Sequence, residues 1–272
     1  MSVILSRGGA RHNRRRVLAH GPSERTTYSE RVSRRGPGWV PNQHGAWAML
    51  ATPLLVGILA SRPAWAHLPL AATWFVGYFA FFAAGLWLKA RRRPRYLPPV
   101  RAYAVGAALA GALTLVMRPD LLRWAPLFVL PLGIGLAASA LRDDRSLWSG
   151  LTTTAGSALM TPVAYDVGGG TNWHRAWVLA AVLALYFAGT VVYVKTMIRE
   201  RGEPAFLALS VGFHLAATLA MIWVHPALVA VFALLTLRTA LLARMTLSPK
   251  AVGIGEIFAT VVVAVIALLV VD

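Results

Sequence analysis

The chain has 272 residues, of which 57% are hydrophobic and only 14% are charged. Because ordinary soluble domains carry about 25% charged residues, this composition excludes a soluble globular protein. The 27 lysines and arginines against 10 acidic residues indicate the inside-positive bias of a membrane protein rather than a nucleic-acid-binding surface, and the lack of cysteine excludes disulfides and thiolate chemistry.

The N-terminal region differs from the rest of the chain. Residues 1–38 contain nine arginines and two glutamates among many serines, glycines and prolines. They show no apolar period long enough to bury a helix face, so they are predicted to form a disordered basic cytoplasmic tail. Residues 39–272 are predicted to form the transmembrane helical domain.

Nine apolar segments follow the tail. A membrane-spanning helix needs about 20 mostly apolar residues. The segments therefore predict an all-α polytopic membrane bundle of about nine transmembrane helices. Small residues four positions apart, such as Gly106 with Ala110 and Gly133 with Ala137, are expected to let helices approach closely. The predicted spans are His44–Ala60, Leu68–Leu88, Ala102–Met117, Trp124–Leu141, Leu147–Tyr165, Ala176–Ile198, Ala205–Trp223, Ala227–Ala243 and Ile254–Val271.

The cations in the connections predict an orientation. With the N-terminus inside, 23 of the 27 cations lie on the cytoplasmic side. The other four, Arg62, Arg118, Arg123 and Arg175, lie outside. Since lysine and arginine resist translocation, this imbalance favours a cytoplasmic N-terminus. An odd number of spans then places the C-terminus outside.

The first predicted helix opens with polar residues that could bind an anion. Asn42 can cap the helix, where exposed N–H groups favour negative charge, and His44 could donate a hydrogen bond or carry a proton. The alternative is an interfacial anchor in which Trp39, His44 and Trp47 lie at the depth of the lipid headgroups. The sequence does not decide between them.

The second and sixth predicted helices end in the same pattern. Lys89 is followed four residues later by Arg93, and Lys195 by Arg199. Positions i and i+4 share a helix face, so with Arg92 these cations are predicted to form a basic cytoplasmic mouth for a phosphate or other anion. The alternative is that they only satisfy the inside-positive bias, complement the helix dipoles and contact anionic lipids.

Ionisable residues also occur within or beside the predicted spans. His214 lies near the middle of the seventh, which makes it a functional candidate, although a structural role as a neutral, hydrogen-bonded imidazole is favoured. Arg238 could extend toward the interface or reach Glu256. Asp143 and Asp144 point about 100° apart on a helix, so they are expected to pair with cations rather than to bind a divalent metal.

The segment from Pro41 to Leu50, with the core His44-Gly45-Ala46-Trp47 and followed by Pro53 and Gly57, resembles the opening motif of the YwiC-like family of bacterial integral membrane proteins. The resemblance extends over residues 39–272. It implies a multi-pass protein of the bacterial cytoplasmic (inner) membrane, with no established activity to carry over.

The architecture is similar to that of the UbiA-type intramembrane prenyltransferases, in which the loops after the second and sixth helices hold magnesium and a prenyl diphosphate through Asp-rich motifs. Arg93-Pro94 matches the Arg-Pro that follows the first motif. Lys89 and Arg93, and Lys195 and Arg199, stand where the acid pairs are expected. Because carboxylates are the groups that bind magnesium, this difference disfavours a magnesium cofactor.

Three functions are therefore kept open. The leading hypothesis is a UbiA-like bundle that binds an anionic lipid or a phosphate-bearing amphiphile, with Lys89, Arg92, Arg93, Lys195 and Arg199 supplying charge and His44 a donor. The first rival is a divergent prenyl or lipid transferase. The second is a small-molecule or proton-coupled transporter, motivated by His214 and Arg238.

Overall fold

In the computed structural model, which describes residues 38–41, 45–243 and 245–272, short connections join a series of α-helices. Three short 3-10 helices occur at Pro94–Tyr96, Pro119–Trp124 and Met221–Trp223. Within the described residues the α-helices are α1 Ala46–Ala60, α2 His67–Lys89, α3 Leu97–Met117, α4 Ala125–Ala140, α5 Leu147–Ala158, α6 Met160–Val167, α7 Trp173–Ile198, α8 Pro204–Ala220, α9 Pro226–Leu242 and α10 Pro249–Val270.

Each predicted span coincides with one helix or with two consecutive helical segments, which confirms the all-α membrane bundle. The largest differences from the predicted starts are at α3, which begins at Leu97 rather than Ala102, and at α10, which begins at Pro249 rather than Ile254. Proline lies in the first turn of both, where its missing N–H has no helical partner to lose. The predicted tail, apart from Gly38, lies outside the described residues.

Six segments of the described chain are long and apolar enough to cross a membrane, and the chain is a multi-pass membrane protein. Two further apolar helices, α1 and α9, are shorter. The six segments are His67–Lys89, Pro94–Met117, Pro119–Ala140, Trp173–Ile198, Pro204–Trp223 and Pro249–Val270.

The span predicted from Leu147 to Tyr165 is divided in two. Its α-helical pattern stops at Leu159, between α5 and α6. Pro162 explains the interruption because it has no N–H to donate to the carbonyl of Ala158. Close to this point the hydroxyl of Ser157 donates to the backbone carbonyl of Met49, which fixes the interrupted span against α1.

Contacts sort the helix ends into two faces. At one, Arg201 from the end of α7 donates to the carbonyl of Leu247 before α10 (3.1 Å). At the other, Arg175 donates to the carbonyls of Ala60 and Leu268 (3.3 and 3.2 Å). The face that holds Arg201 also holds the other described connections counted as cytoplasmic, and we call it the basic face. Its position relative to the membrane stays a prediction.

The core is centred on α7, whose residues Leu179, Val182 and Leu183 are fully buried. Packing of α1 against α6 depends on Gly57, since a Cβ there would overlap the carbonyl oxygen of Thr161. The close contacts expected at small residues are therefore real, but they are not all at the predicted places. Gly106 approaches Val76, as expected.

Gly133 does not mark a close helix contact, and the expectation for that position is wrong. Nothing among the described residues lies within 4 Å of a Cβ built on it. The glycine that meets a neighbour is Gly135, which faces the ring of Phe81 in α2. The face of α4 that packs against α2 therefore lies about 200° round the helix from the predicted face.

Substituting Gly57 with alanine is expected to lower the free energy of unfolding by about 1–3 kcal/mol, because α1 and α6 must separate to admit a methyl group. Gly77→Ala is the matched control, since its Cβ would meet nothing within 4 Å. Thermal or SDS-induced unfolding of the purified protein measures both. Equal unfolding of the two variants would contradict the close α1–α6 contact.

Candidate functional site

The connection between α4 and α5, residues 141–146, links the two predicted basic loops, and we call it the bridge segment. Lys89 at the end of α2 lies 2.7 Å from a carboxylate oxygen of Asp144. Lys195 and Arg199 near the end of α7 both donate to the backbone carbonyl of Arg145, each at 3.3 Å. Three predicted site residues from distant parts of the chain therefore meet at one short segment.

The other two predicted cations of the mouth, Arg92 and Arg93, are exposed. The guanidinium of Arg92 lies 5.8 Å from the ring centroid of Trp87, at a distance that allows a cation–π contact. Arg93 has extended backbone and precedes the 3-10 helix Pro94–Tyr96. These two arginines keep their charges available to solvent or to lipid headgroups.

Three arginines of the basic face adopt the left-handed backbone conformation. Arg91 and Arg92 follow α2 with φ of 56° and 57°, and Arg142 follows α4 with φ of 61°. Both helices end in the paired backbone hydrogen bonds of a Schellman cap, with Arg91 and Arg142 at the position that glycine usually occupies. A side chain there costs about 1 kcal/mol, which indicates a use for arginine other than stability.

Asn42 and His44 lie outside the described residues, so their predicted roles stay predictions. The neighbouring Trp47 of α1 packs against Phe75, Tyr78 and Phe79 of α2. This aromatic contact joins the start of α1 to the α2 helix. It is compatible with either interpretation of the opening motif, the anion site or the interfacial anchor.

His214 is buried in α8, where it makes the type of contact that the structural alternative predicts. Its Nδ1 lies 2.7 Å from the backbone carbonyl of Ser210, to which it donates. The bond is within its own helix rather than across to a neighbour. The imidazole packs against Gly189 of α7, where a Cβ would come within 3.1 Å of Nε2. His214 therefore fills the space that a glycine leaves between two helices.

Of the two alternatives for Arg238, the structure shows the ion pair with Glu256. Arg238 Nη1 lies 2.5 Å from Glu256 Oε1, and the guanidinium is 4.1 Å from the ring centroid of Tyr193. The other carboxylate oxygen accepts from Thr190 (2.7 Å) and from Tyr186 (3.3 Å). This ion pair ties α9 and α10 to α7 inside the apolar part of the bundle.

A second buried acid, Asp166, was not identified from the sequence as a group with several donors. Asp166, which is buried at the end of α6, accepts from Arg123 (2.6 Å) and from the indole N–H of Trp124 (2.7 Å), while Arg118 lies 3.6 Å away. A single acid at the end of an apolar segment was the available signal. Because donors from the protein already bind this carboxylate, we interpret it as a structural contact that holds the helix ends together at the face opposite the basic face.

Replacing Arg142 with glycine is expected to raise the free energy of unfolding by about 0.5–1 kcal/mol, because glycine adopts positive φ without the steric cost. Arg145→Gly removes the same charge from the same connection at a residue without positive φ. It is expected to leave stability unchanged or to lower it. Thermal unfolding compares the two, and a shift in the same direction for both would contradict the strained cap.

A double-mutant cycle tests the Arg238–Glu256 pair. Arg238→Gln and Glu256→Gln each leave one charge unpaired and are expected to lower the free energy of unfolding by about 2–3 kcal/mol. The double variant removes both charges and is expected to lose much less than the sum of the two. Unfolding in detergent measures the cycle. Additive losses would show that the two groups do not stabilise one another.

Comparison with known proteins agrees with the resemblance carried by the opening motif. The model of the family described as YwiC-like protein matches residues 40–165. The "Uncharacterized protein YwiC" of Bacillus subtilis is 32% identical over 180 residues, covering 65% of this chain and 74% of the relative. An "Uncharacterized protein" of Haemophilus influenzae is 28% identical over 180 residues, covering 66% of this chain and 76% of the relative.

No solved structure matches the chain, so the UbiA-like arrangement stays a prediction. The region matched by the family model includes Lys89, Arg92 and Arg93 together with the whole bridge segment. Lys195 and Arg199 lie beyond it. The match to the Bacillus relative and to the family model agrees with the motif that opens α1, and the chain belongs to the YwiC-like family.

Proposed function

We propose that this chain is a membrane protein that binds an anionic lipid, or another phosphate-bearing amphiphile, at its basic face. The observation that supports this most is the convergence of Lys89, Lys195 and Arg199 on the bridge segment. Two helix ends separated by about a hundred residues bring their cations to one place. Cations that served only to orient the protein in the membrane would not need to meet.

The charge that remains exposed on this face supports the same proposal. Asp144 pairs with Lys89, but Arg142, Arg145 and Arg199 are exposed. The connection from α2 to α3 adds the exposed residues Arg91, Arg92, Arg93 and Arg95. Hydrogen bonds from guanidinium to phosphate are among the strongest available, and a lysine or arginine near an anionic membrane surface contributes about 1 kcal/mol.

The proposed orientation places the basic face in the cytoplasm at the bacterial inner membrane, with the C-terminus on the other side. The excess of cations at this face supports it, because positively charged connections are retained inside. α1 begins at the same face, so Asn42 and His44 would precede it there. They would then be able to add donors to the bound headgroup.

Binding is favoured over the two rival activities. For a magnesium-dependent transferase of the resembled type, the positions expected to hold the acid pairs would have to be carboxylates, yet Lys89, Lys195 and Arg199 occupy them. The carboxylate of Asp144 is already engaged by Lys89. For a transporter, His214 would have to face a path, yet it is buried, bonded to its own helix and packed against Gly189.

Removal of charge at the bridge segment tests the proposal. The variant Lys195→Gln/Arg199→Gln is expected to bind anionic phospholipid about tenfold more weakly, because two cations near the headgroup are lost. Native mass spectrometry of the protein released from nanodiscs of mixed phosphatidylglycerol and phosphatidylcholine measures the bound lipid. Binding that is unchanged in this variant would overturn the proposal.

The control variant Arg62→Gln/Lys250→Gln removes the same number of positive charges from residues that do not contact the bridge segment. Both of these side chains are exposed. The control is expected to retain phosphatidylglycerol as the unmodified protein does. If the two variants lose lipid equally, binding follows net charge alone, and the generic interpretation of the basic loops replaces the proposed site.

A further inference from the structure

A cavity of about 330 Å³ lies between α9 and α10, separate from the bridge segment, and we also call it the groove. Its walls are mostly aliphatic and aromatic side chains of these two helices. The polar groups in its lining are those of Arg238, Glu256 and Tyr193. The main apolar contributors are Val231, Leu234 and Leu235 from α9 with Phe258, Ala259 and Val262 from α10.

The polar part of the wall has unused donors but little net charge. A guanidinium carries five N–H donors. Among the described residues, the acceptor for Arg238 is Glu256, and the Nε of Arg238 is buried without a partner. Both oxygens of Glu256 are already engaged, by Arg238 on one side and by Thr190 and Tyr186 on the other. What this wall lacks is an acceptor.

The unused donors of Arg238 and the neutral charge of its pair with Glu256 together indicate which ligand chemistry fits the cavity. A second carboxylate or phosphate would bring a negative charge beside Glu256, whose charge already balances that of Arg238. A neutral oxygen, such as a carbonyl or hydroxyl, can accept from the guanidinium without that repulsion. Only Nη1 of Arg238 has an acceptor among the described residues, so a neutral oxygen in the cavity can accept a hydrogen bond from the rest of the guanidinium.

The volume and the opening of the cavity indicate the size and the hydrophobic character of the rest of the ligand. Its volume lies near the lower limit of the 300–1,000 Å³ typical of small-molecule sites, which suits one hydrocarbon chain rather than two. Leu234 and Phe258 line the cavity and are 66% and 72% exposed. On apolar helices such exposed side chains face lipid, so the cavity opens sideways to the hydrocarbon of the bilayer.

We propose that the groove between α9 and α10 binds a neutral single-chain amphiphile whose carbonyl or hydroxyl oxygen accepts a hydrogen bond from Arg238. Glu256 keeps the guanidinium in place and sets the preference for an uncharged head. This inference does not rest on the proposed function, because it uses other residues and a ligand of different charge.

Two glycines of α10 provide a matched pair of variants. Gly255 lines the groove whereas Gly253 does not, and a Cβ on either meets nothing within 4 Å. Gly255→Leu should therefore fill the groove, and Gly253→Leu should place the same side chain elsewhere on the exposed surface of the helix. The probe is a long-chain alcohol with a diazirine in its chain, added to the full-length protein in nanodiscs and activated by light.

The expected result is saturable labelling of α9 and α10, located by mass spectrometry of peptides. Labelling should fall about tenfold in Gly255→Leu and stay unchanged in Gly253→Leu. It should also stay unchanged in Lys195→Gln/Arg199→Gln, which separates this site from the basic face. Equal labelling of the two glycine variants, or labelling spread over all lipid-facing helices, would overturn the proposal.

The head-group preference is tested with probes of equal chain length and with Arg238→Lys. The unlabelled alcohol should displace the alcohol probe about tenfold better than the alkane or the carboxylate does, because the alkane accepts no hydrogen bond from Arg238 and the carboxylate is repelled by Glu256. Arg238→Lys keeps the charge for Glu256 but loses the guanidinium fork, and should reduce this preference. A carboxylate that competes as well as the alcohol would contradict the neutral acceptor.

Discussion

An ionised side chain within a bilayer has no water to solvate it, so its partner must come from the protein. This constraint accounts for the ion pairs of the buried acids in the bundle. Arg238 and Glu256 neutralise each other's charge between α9 and α10, and Asp166 accepts from Arg123 and Trp124 near the opposite face. Each pair joins helices that hydrocarbon packing alone would hold weakly, because lipid is as apolar as the helix surfaces.

The basic face obeys a different constraint, since headgroups and water can solvate its charges. Its cations are in excess of its acids, and among the described residues Lys89 pairs with an acid while most of the arginines do not. The arrangement of charge therefore differs between the interior of the bundle and the basic face. Neutral pairs stabilise the interior, and uncompensated positive charge remains at one end, where it can meet phosphate.

The sequence predicted the spans well because their length and apolar composition are set by the thickness of the bilayer. It also predicted that Asp144 would pair with a cation, which is Lys89, and that Arg238 could reach Glu256. It could not predict that Arg145 would contribute a backbone carbonyl, because every residue has one. Nor could it place Arg91 and Arg142 at positive φ, where glycine is the usual residue.

The interrupted span has a consequence for how the chain assembles. α1 is only 15 residues long, and its contacts with the later span include the hydrogen bond between Met49 and Ser157, which are 108 residues apart. Gly57 likewise has its packing partner at Thr161. During synthesis α1 therefore emerges from the ribosome well before the helix that receives it, and it cannot take its final place until the residues up to Thr161 have followed.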